Sequence, residues 1–267
     1  MDKITKQNLS KDKHVLGQAW NKTYKGYFSN KRVINSFIKS LKPYYNKFPK
    51  DLKIMYVCSG TGLLGEELVK NLIKKGFDPE LTLLDISKKQ LKENQNPCTI
   101  KINADLVEFK SRTKYDLVIM RSALDYFYEY NLQIKVLKRI KTLLKSNGFF
   151  VNQPASAHSI FDKDLLNDVY LSTKKIGHRN FQYFSELSKQ HIKAGLEMPN
   201  KIGKSKDMAI TNNNHEARYK INKKEVENIR ELIKSSRYKL NNLKITRLGY
   251  KLKFNFPIYI CKKLLKD

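Results

Sequence analysis

The 267-residue sequence contains no uninterrupted apolar run of the roughly 18 residues that a membrane-spanning helix requires. Its lysine-rich beginning, Met1 to Lys13, has no apolar core of the kind that secretion signals carry. From these two absences we expect a soluble, cytoplasmic protein without membrane insertion. The sequence does not indicate an oligomeric state.

Cysteine and histidine are scarce. The three cysteines, Cys58, Cys98 and Cys261, are far apart and form no C-x-x-C pair, so we predict buried thiols and neither disulfides nor a zinc site. The five histidines also lack the spacing of metal ligands. We therefore predict no metal site.

Acidic residues are few compared with basic ones: the chain has 25 Asp and Glu and 53 Lys and Arg, and its formal net charge is +28. Such a balance is typical of proteins that bind nucleic acid or anionic membranes. However, only nine of the 53 basic residues are arginine, the better ligand for phosphate and guanine, and the lysines are spread along the whole chain. A genome-wide codon bias would produce the same composition. A nucleic-acid partner is possible but is not favoured.

One stretch, Ile54–Gly65, combines a strand signal, a glycine turn and a helix signal. An apolar run at 54–57 is followed by the spacing G-x-G-x-x-G at Gly60, Gly62 and Gly65, and a helical apolar period begins at once. The first two glycines let the backbone turn sharply and approach a ligand, and the third lets the helix pack closely on the strand.

Twenty residues after Gly65, the next apolar run ends in Asp85. A carboxylate at this position can accept hydrogen bonds from the two hydroxyl groups of a ribose. The glycine turn and this acid together predict a cofactor that contains a nucleoside. The alternative is an ordinary glycine turn and helix start in an unrelated α/β protein.

The rest of the first 155 residues alternates between strand and helix signals. Such alternation predicts right-handed βαβ units, and hence a parallel sheet covered by helices on both faces. The predicted strands span residues 54–57, 81–84, 99–102, 117–120 and 149–152, and a long helix spans about 132–144.

After Pro154 the alternation stops. The pattern predicts helical structure over 156–196, a mobile polar loop at 203–214, a helix over 223–235, and two closing antiparallel strands at 243–250 and 254–264. Before the first strand, Trp20, Tyr24, Tyr27 and Phe28 share one helical face. Core packing is the favoured interpretation of this face, and a lid over a ligand is the alternative.

The order of these features resembles the class I S-adenosylmethionine-dependent methyltransferases over about residues 50–155. In that family the glycine turn holds the methionine part of the cofactor, an acid after strand two holds the ribose, and an Asp after strand three binds the adenine amino group. The resemblance implies S-adenosyl-L-methionine as cofactor and a structural role for Asp116. The implied cofactor-binding residues are Ser59, Gly60, Thr61, Gly62, Gly65, Asp85, Ile86, Ala104, Asp105, Arg121 and Tyr24.

The resemblance also implies the fold: an α/β, Rossmann-like, seven-stranded and mostly parallel sheet with an antiparallel C-terminal strand, helices on both faces and a helical lid or insertion. We expect an N-terminal helical lid at 1–48, a cofactor-binding core at 49–155, a helical substrate cap with its mobile loop at 156–240, and closing strands at 241–267.

Two positions depart from the family pattern. The glycine motif there usually reads Asp-x-Gly-x-Gly-x-Gly, whereas this chain has Tyr56 at the acidic position and Cys58 at the first glycine. The carboxylate that usually lies near the methionine amino group is therefore missing. Either another acid replaces it, or backbone groups and water hold that end of the cofactor.

Candidate catalytic residues follow the fourth and fifth predicted strands, at the edge where α/β proteins bind ligands. Methyl transfer from a sulfonium requires an aligned nucleophile, exclusion of water and sometimes removal of a proton. Asp125 is a candidate base or amine ligand, Tyr126 adjoins it, and His158 is a second candidate base. The alternatives are a helix-initiating Asp, a packing Tyr and an incidental loop His.

These features predict a methyltransferase that acts on an O, N or C nucleophile of a small-molecule acceptor. An RNA methyltransferase is the alternative that the charge favours, although no RNA-binding signature is present. A non-catalytic protein that binds an adenosyl ligand is a third interpretation, which the altered glycine motif permits. A nicotinamide-dependent dehydrogenase ranks low, because strand-like closing segments replace a second mononucleotide-binding half.

Overall fold

The computed structural model describes residues 26–172, 178–237 and 240–264. One sheet contains five parallel strands, followed by strands that run antiparallel to their neighbours. The parallel strands are β1 (Lys53–Val57), β2 (Glu80–Asp85), β3 (Ile100–Asn103), β4 (Tyr115–Arg121) and β5 (Leu144–Gln153). The others are β6 (Asn200–Thr211), β7 (Leu243–Thr246) and β8 (Gly249–Lys262).

The strand order is β3-β2-β1-β4-β5-β8-β6, and the short β7 lies off this path and pairs with β8. The predicted fold class is therefore confirmed, with β7 as one strand more than the predicted seven. Strand order reverses beside β1, which pairs with both β2 and β4, and open α/β sheets bind ligands at such switch points.

Helices connect and cover the strands. Asn30, Ser87 and Ser159 each accept a backbone N–H at a helix start, as capping side chains do. The helices are α1 (Lys31–Leu41), α2 (Leu63–Ile73), α3 (Lys88–Glu93), α4 (Tyr130–Leu143), α5 (Ile160–Leu171), α6 (Phe184–Ala194), α7 (Asn212–Tyr219) and α8 (Lys223–Lys234). Within the described residues, none is long and apolar enough to cross a bilayer.

Two hydrophobic clusters hold helices on the two faces of the sheet. On one face, Phe37 of α1 and Leu68 of α2 pack with Ile54 of β1. On the other, buried leucines and valines of α4 and α6 pack with Met55 and Val118. Neighbouring residues of β1 thus point to opposite faces, which explains why the strand is apolar without interruption.

A third cluster forms what we call the cap: α5, α7, α8, β7, residues 178–183 and the adjoining parts of β6 and β8. Leu166 of α5, Ile229 of α8 and Leu252 of β8 are completely buried in it. The cap therefore has its own core and is built on the antiparallel end of the sheet.

The prediction of a mobile loop at 203–214 is wrong. These residues form most of β6 and the start of α7, and β6 pairs along β8. The pairing shifts register between Lys201 and Gly203 and again between Ser205 and Met208. Each shift interrupts the inside–outside alternation, so the sequence of this edge strand shows no period of two.

Other predicted boundaries also differ from the structure. The helical stretch 156–196 is divided into α5 and α6 by the non-helical residues 178–183, and the closing turn lies at Arg247–Leu248, so β8 begins earlier than predicted. Helix α1 belongs to the layer over the sheet, so the predicted N-terminal lid at 1–48 does not include Lys31–Leu41. Trp20 lies outside the described residues.

The loop between α3 and β3 is attached to α2 through Glu66. Its carboxylate accepts hydrogen bonds from Asn94 Nδ2 at 2.8 Å, Asn96 Nδ2 at 2.7 Å and Thr99 Oγ1 at 2.7 Å, and Asn94 Nδ2 also donates to the Thr61 carbonyl. Burial raises the pKa of Glu66, but the three donors outweigh that effect and place the pKa below its ordinary value of 4.5. Glu66 thus ties the glycine turn to the start of β3.

The backbone is strained where β1 and β4 end. Cys58 has a φ of 50° and Ser122 a φ of 49°, so both lie in the left-handed region. This conformation costs a residue with a β-carbon about 1–2 kcal/mol, whereas glycine adopts it freely. The geometry explains why a glycine is usual at the position of Cys58 in the family that the sequence resembles.

We expect Glu66→Gln to lower the free energy of unfolding by about 1–2 kcal/mol at pH 7, because glutamine retains one acceptor oxygen for three donors. The depressed pKa means that the stabilisation by Glu66 is fully present above pH 4.5 and is lost as pH falls through the lower folded-state pKa. The difference between wild type and variant should therefore shrink between pH 6 and pH 3 in urea unfolding.

Glu67→Gln is the matched control, because Glu67 lies on the same helix and, among the described residues, forms an ion pair with the exposed Lys70 alone. It should change the unfolding free energy by less than about 0.5 kcal/mol. A pH-independent difference between wild type and Glu66→Gln would contradict the proposed role of the carboxylate.

The strain at Cys58 predicts that two substitutions at this position differ in their effect on the stability of the fold. We expect Cys58→Gly to stay within about 1 kcal/mol of wild type, since glycine removes the strain but loses the partly buried thiol. Cys58→Val, which is close in volume but β-branched, should lose about 2 kcal/mol or more. Equal stability of the two variants in urea unfolding would show that the backbone is not strained there.

Candidate functional site

The glycine turn forms the first wall of the candidate site. Gly62 has a φ of 80°, and a β-carbon added to it would lie 2.3 Å from Leu83 Cδ1, so only glycine fits. A β-carbon on Gly65 would lie 3.2 Å from Leu81 and 3.3 Å from Tyr56. The turn therefore brings α2 into close contact with β1 and β2, as the sequence predicts.

Asp85 joins this turn to the end of β2. Its Oδ2 accepts the Gly60 N–H at 2.7 Å, and its Oδ1 accepts the Ser87 N–H at 2.7 Å. Burial raises the pKa of Asp85, and the two backbone donors oppose that shift. Since an ionised carboxylate has about four acceptor positions, two remain for a ligand. The Gln90 amide covers one side of Gly60, where its Oε1 lies 2.6 Å from the position of an added β-carbon.

The end of β3 is attached to the same place. Asn103 Nδ2 donates to the carbonyls of Asp85 and Ile86, and the Ala104 N–H donates to the Asp85 carbonyl. Asp105 is half-buried, and its Oδ1 accepts the Val107 N–H at 2.9 Å. The predicted residues Ile86, Ala104 and Asp105 thus lie beside Asp85.

Cys58, which directly follows β1, is close enough to Asp85 and Asp105 to feel the charge of both carboxylates. Burial raises the pKa of its thiol, and the carboxylates of Asp85 and Asp105 raise it further. The effect of both charges on one thiol indicates that the ends of β1, β2 and β3 converge there. Cys58 is therefore a neutral thiol in this acidic part of the site.

Arg121 ends β4 on the opposite side of the glycine turn. Its Nη2 donates to the Phe28 carbonyl at 3.2 Å, and its guanidinium carbon lies 5.2 Å from the Phe28 ring centroid. Burial raises the pKa of the Tyr56 phenol, and the charge and hydrogen bond of Arg121 oppose this shift. Where the family pattern has a carboxylate, this chain therefore has a neutral phenol against an arginine.

A pocket of about 340 Å³, including its open mouth, follows β4. Its polar side chains are those of Ser122, Asp125 and Arg179, and its wall is otherwise mainly aromatic. The aromatic residues are Phe28, Tyr126, Tyr170, Phe181, Tyr219 and Phe254. A mainly aromatic wall with a few polar groups is the composition of a small-molecule site.

Asp125 and Arg179 form a buried ion pair in this pocket. Arg179 Nε lies 3.7 Å from Asp125 Oδ2, and the two side chains are 3% and 6% exposed. The guanidinium carbon lies 3.7 Å from the ring centroid of Tyr126, so the cation stacks on that ring. The pair places one acidic and one basic group beside an aromatic surface.

The buried side-chain amide of Gln133 holds residues 178–183, the segment that carries Arg179. Gln133 of α4 donates to the carbonyls of Leu124 and Asn180, and its Oε1 accepts the Gln182 amide at 2.9 Å. The Asn180 N–H also donates to the Asp125 carbonyl at 3.0 Å. These bonds join residues 178–183 to the turn after β4, and thereby fix Arg179 over Tyr126.

His215 lies behind the aromatic wall. Its Nδ1 is 2.8 Å from the Tyr250 hydroxyl, and burial together with the charge of Arg179 lowers its pKa to about 3. The imidazole is therefore neutral near pH 7. Sequence reasoning missed Arg179, Gln133 and His215, and only Arg179 had a signal, as an arginine in a chain that mostly uses lysine.

The structure brings most predicted site residues to one edge of the sheet. Ser59 and Thr61 lie in the glycine turn, while Asp125 and Tyr126 line the pocket. His158 is exposed, does not line the pocket, and binds Asn242 through its backbone N–H, so its position does not support a role as base. Tyr24 lies outside the described residues.

Comparison with known proteins gives a consistent result. A family model described as a methyltransferase domain matches residues 55–150. No curated protein sequence gives a significant match.

Several solved structures are similar in fold. A candidate methyltransferase from Bacillus halodurans aligns over 86% of this chain and 100% of its own, at 13% identity and a TM-score of 0.68. Magnesium protoporphyrin IX methyltransferase from Synechocystis, with bound SAH, aligns over 97% and 96%, at 13% identity and a TM-score of 0.55. The sugar N-methyltransferase of a Streptoalloteichus species aligns over 71% and 90%, at 13% identity and a TM-score of 0.53.

At these identities the solved structures establish the fold, and the family model establishes the type of domain. The family uses S-adenosyl-L-methionine, so the predicted cofactor is confirmed at the level of the family. Residues 55–150 match the methyltransferase-domain family, and the chain has the fold of solved methyltransferase structures.

Proposed function

We propose that this protein transfers the methyl group of S-adenosyl-L-methionine to an O, N or C nucleophile of a small molecule. The observation that carries the proposal is the pocket after β4. Its polar residues Ser122 and Asp125 follow Arg121 directly in the chain, at the edge of the sheet where the glycine turn and Asp85 lie. A cofactor in that turn and an acceptor in this pocket would therefore be neighbours.

The residues after β1, β2 and β3 suit the cofactor. Asp85 retains acceptor positions for two ribose hydroxyls after binding its two backbone donors. Asp105 retains its second oxygen as an acceptor for an adenine amino group, since Val107 uses only the first. The glycines of the turn leave its backbone open to close approach by the amino-acid end.

The pocket suits a small acceptor with a flat, apolar part. Aromatic side chains stack well on planar ligands and also exclude water. Most of the lining comes from outside the cofactor-binding core, including Phe28 before α1 and Tyr170, Phe181 and Phe254 in the cap. We therefore assign selection of the acceptor to the cap and to residues 26–30.

The bound cofactor supplies a methyl group on a sulfonium, which a nucleophile can displace. Asp125 would accept the proton of an acceptor hydroxyl or amine, or hold an acceptor ammonium group. Arg179 is a positioning residue that fixes the carboxylate through the ion pair and the stacking on Tyr126. The two similar structures named above as porphyrin and sugar methyltransferases act on small molecules, which supports this class of acceptor over nucleic acid.

We expect Asp85→Asn to weaken binding of S-adenosylhomocysteine about 10- to 100-fold, because the amide cannot accept hydrogen bonds from both ribose hydroxyls and both backbone N–H groups. Isothermal titration calorimetry measures this change. Asp78→Asn is the matched control, since Asp78 is exposed before β2, at the opposite edge of the sheet. Unchanged affinity of folded Asp85→Asn would remove Asp85 from the cofactor site.

The acceptor can be found with S-adenosyl-L-methionine that carries a deuterated methyl group. Incubation with a small-molecule extract and with RNA should place the label in a small molecule, detected by mass spectrometry. Label in RNA alone would overturn the proposed acceptor class and support the alternative that the net charge suggests.

With the acceptor known, we expect Asp125→Asn to lower kcat/KM about 100-fold or more if Asp125 moves a proton. The variant also leaves Arg179 buried without its counter-charge, which destabilises the fold. The double variant Asp125→Asn/Arg179→Gln should regain part of the lost stability but none of the activity. Recovery of activity in the double variant would assign Asp125 a structural role only. Asp164→Asn, with an exposed side chain, is the control.

A further inference from the structure

Three buried polar atoms at the edge of the sheet have no hydrogen-bond partner within the described residues: Ser59 Oγ, Arg121 Nη1 and Gln153 Oε1. Ser59 lies in the bend after β1, Arg121 ends β4 and Gln153 ends β5. Arg121 and Gln153 are direct partners in the register of β4 and β5, so they lie side by side on the same face. A buried polar atom without a partner costs about 1–3 kcal/mol, which makes three together a sign of a ligand.

The rest of each long side chain is held by the protein. Arg121 Nη2 donates to the Phe28 carbonyl, and the guanidinium also contacts the Tyr56 phenol. Gln153 Nε2 donates to Ser205 Oγ at 2.8 Å and to the Phe256 carbonyl at 3.4 Å. A carbonyl can only accept, so the second bond fixes the orientation of the amide and leaves Oε1 as an acceptor. Both side chains are thus held in place before a ligand binds.

The three atoms have the chemistry that complements an α-amino acid. The guanidinium N–H and the hydroxyl are donors suited to a carboxylate, and an arginine forms strong, charge-assisted bonds to such a group. The amide oxygen is an acceptor suited to an ammonium. This arrangement would not suit a ligand that carries only a positive charge at this end, because Arg121 would repel it.

We propose that Arg121 recognises the amino-acid end of the cofactor through its α-carboxylate, with Ser59 as a second donor and Gln153 as the acceptor for the α-ammonium. This arrangement would make an acid at position 56 unnecessary, and Tyr56 instead supports the arginine. The inference rests on the proposed function, since it assumes that the adenosyl ligand binds at this edge.

Three ligands separate the parts of the interaction. S-adenosylhomocysteine has the complete amino-acid end, its decarboxylated analogue keeps the ammonium only, and 5′-methylthioadenosine has neither group. For the wild type we expect removal of the carboxylate to weaken binding about 10- to 100-fold. Calorimetric titration of the same protein preparation with all three ligands gives the comparison.

Arg121→Gln should weaken binding of S-adenosylhomocysteine by a similar factor. It should leave the affinity for 5′-methylthioadenosine within about twofold of wild type, because this ligand has no group for Arg121. It should not weaken binding of the decarboxylated analogue, because the substitution removes a positive charge that repels the ammonium group. Glutamine retains a donor for the Phe28 carbonyl, so the fold should persist. Arg121→Lys, which keeps the charge but not the fork, should give an intermediate affinity for S-adenosylhomocysteine.

Arg112→Gln is the matched control for the loss of one positive charge, because Arg112 is exposed outside the site. Equal loss for all three ligands in Arg121→Gln would assign Arg121 a structural role, and no loss for any would remove it from the site. Either result overturns the inference while the proposed function remains. A wild-type protein that binds none of the three ligands overturns the proposed function and this inference with it.

Discussion

Asp85 connects the segments that leave the first three strands, through its carboxylate and its backbone carbonyl. One oxygen binds the Gly60 N–H in the glycine turn, and the other binds the Ser87 N–H at the start of α3. A buried carboxylate is costly unless hydrogen bonds compensate for the lost water, so both bends must keep the geometry that supplies them. Asn103 adds the exit of β3 by donating to the Asp85 carbonyl. The edge of the sheet where the site lies thus depends on the side chain and on the backbone carbonyl of Asp85.

The part of the site that the sequence predicted is the part with local causes. The glycine spacing can be predicted from the sequence because α2 packs closely on β1 and β2: a β-carbon has no room at Gly62 and would be tightly packed at Gly65. Asp85 can be predicted from the sequence because it ends the apolar strand that follows the glycine turn and its helix. Even the departure at Cys58 has a local cause, since the backbone there is left-handed. Constraints that act within some thirty residues leave a pattern in the chain.

The pocket has no such pattern, because its residues come together only through tertiary contacts. Arg179 reaches Asp125 because Gln133 and Asn180 hold the intervening segment, and no sequence spacing encodes those bonds. The error at β6 has a related cause. An edge strand with two register shifts loses its alternation, so a segment that the sheet orders has the composition of a loop. Tertiary context therefore determined both the acceptor side of the site and the strand beside it.

The arginines show why net charge is a poor guide to the function of this chain. Arg121, Arg179 and Arg218 pack on the rings of Phe28, Tyr126 and Tyr219, and all three rings line the pocket. Arginine suits these positions because its planar, weakly hydrated cation stacks on aromatic faces and binds carboxylates with a fork.

Lysines in the described ion pairs are mostly well exposed instead, where water and salt screen them beyond about 8 Å. The charge of +28 is thus mainly a property of the solvated surface. The electrostatic field inside the site comes from a few arginines and from Asp125 and Asp85. Because these groups are buried and fixed, they act on a ligand at short range and with little screening, so they determine what can bind there.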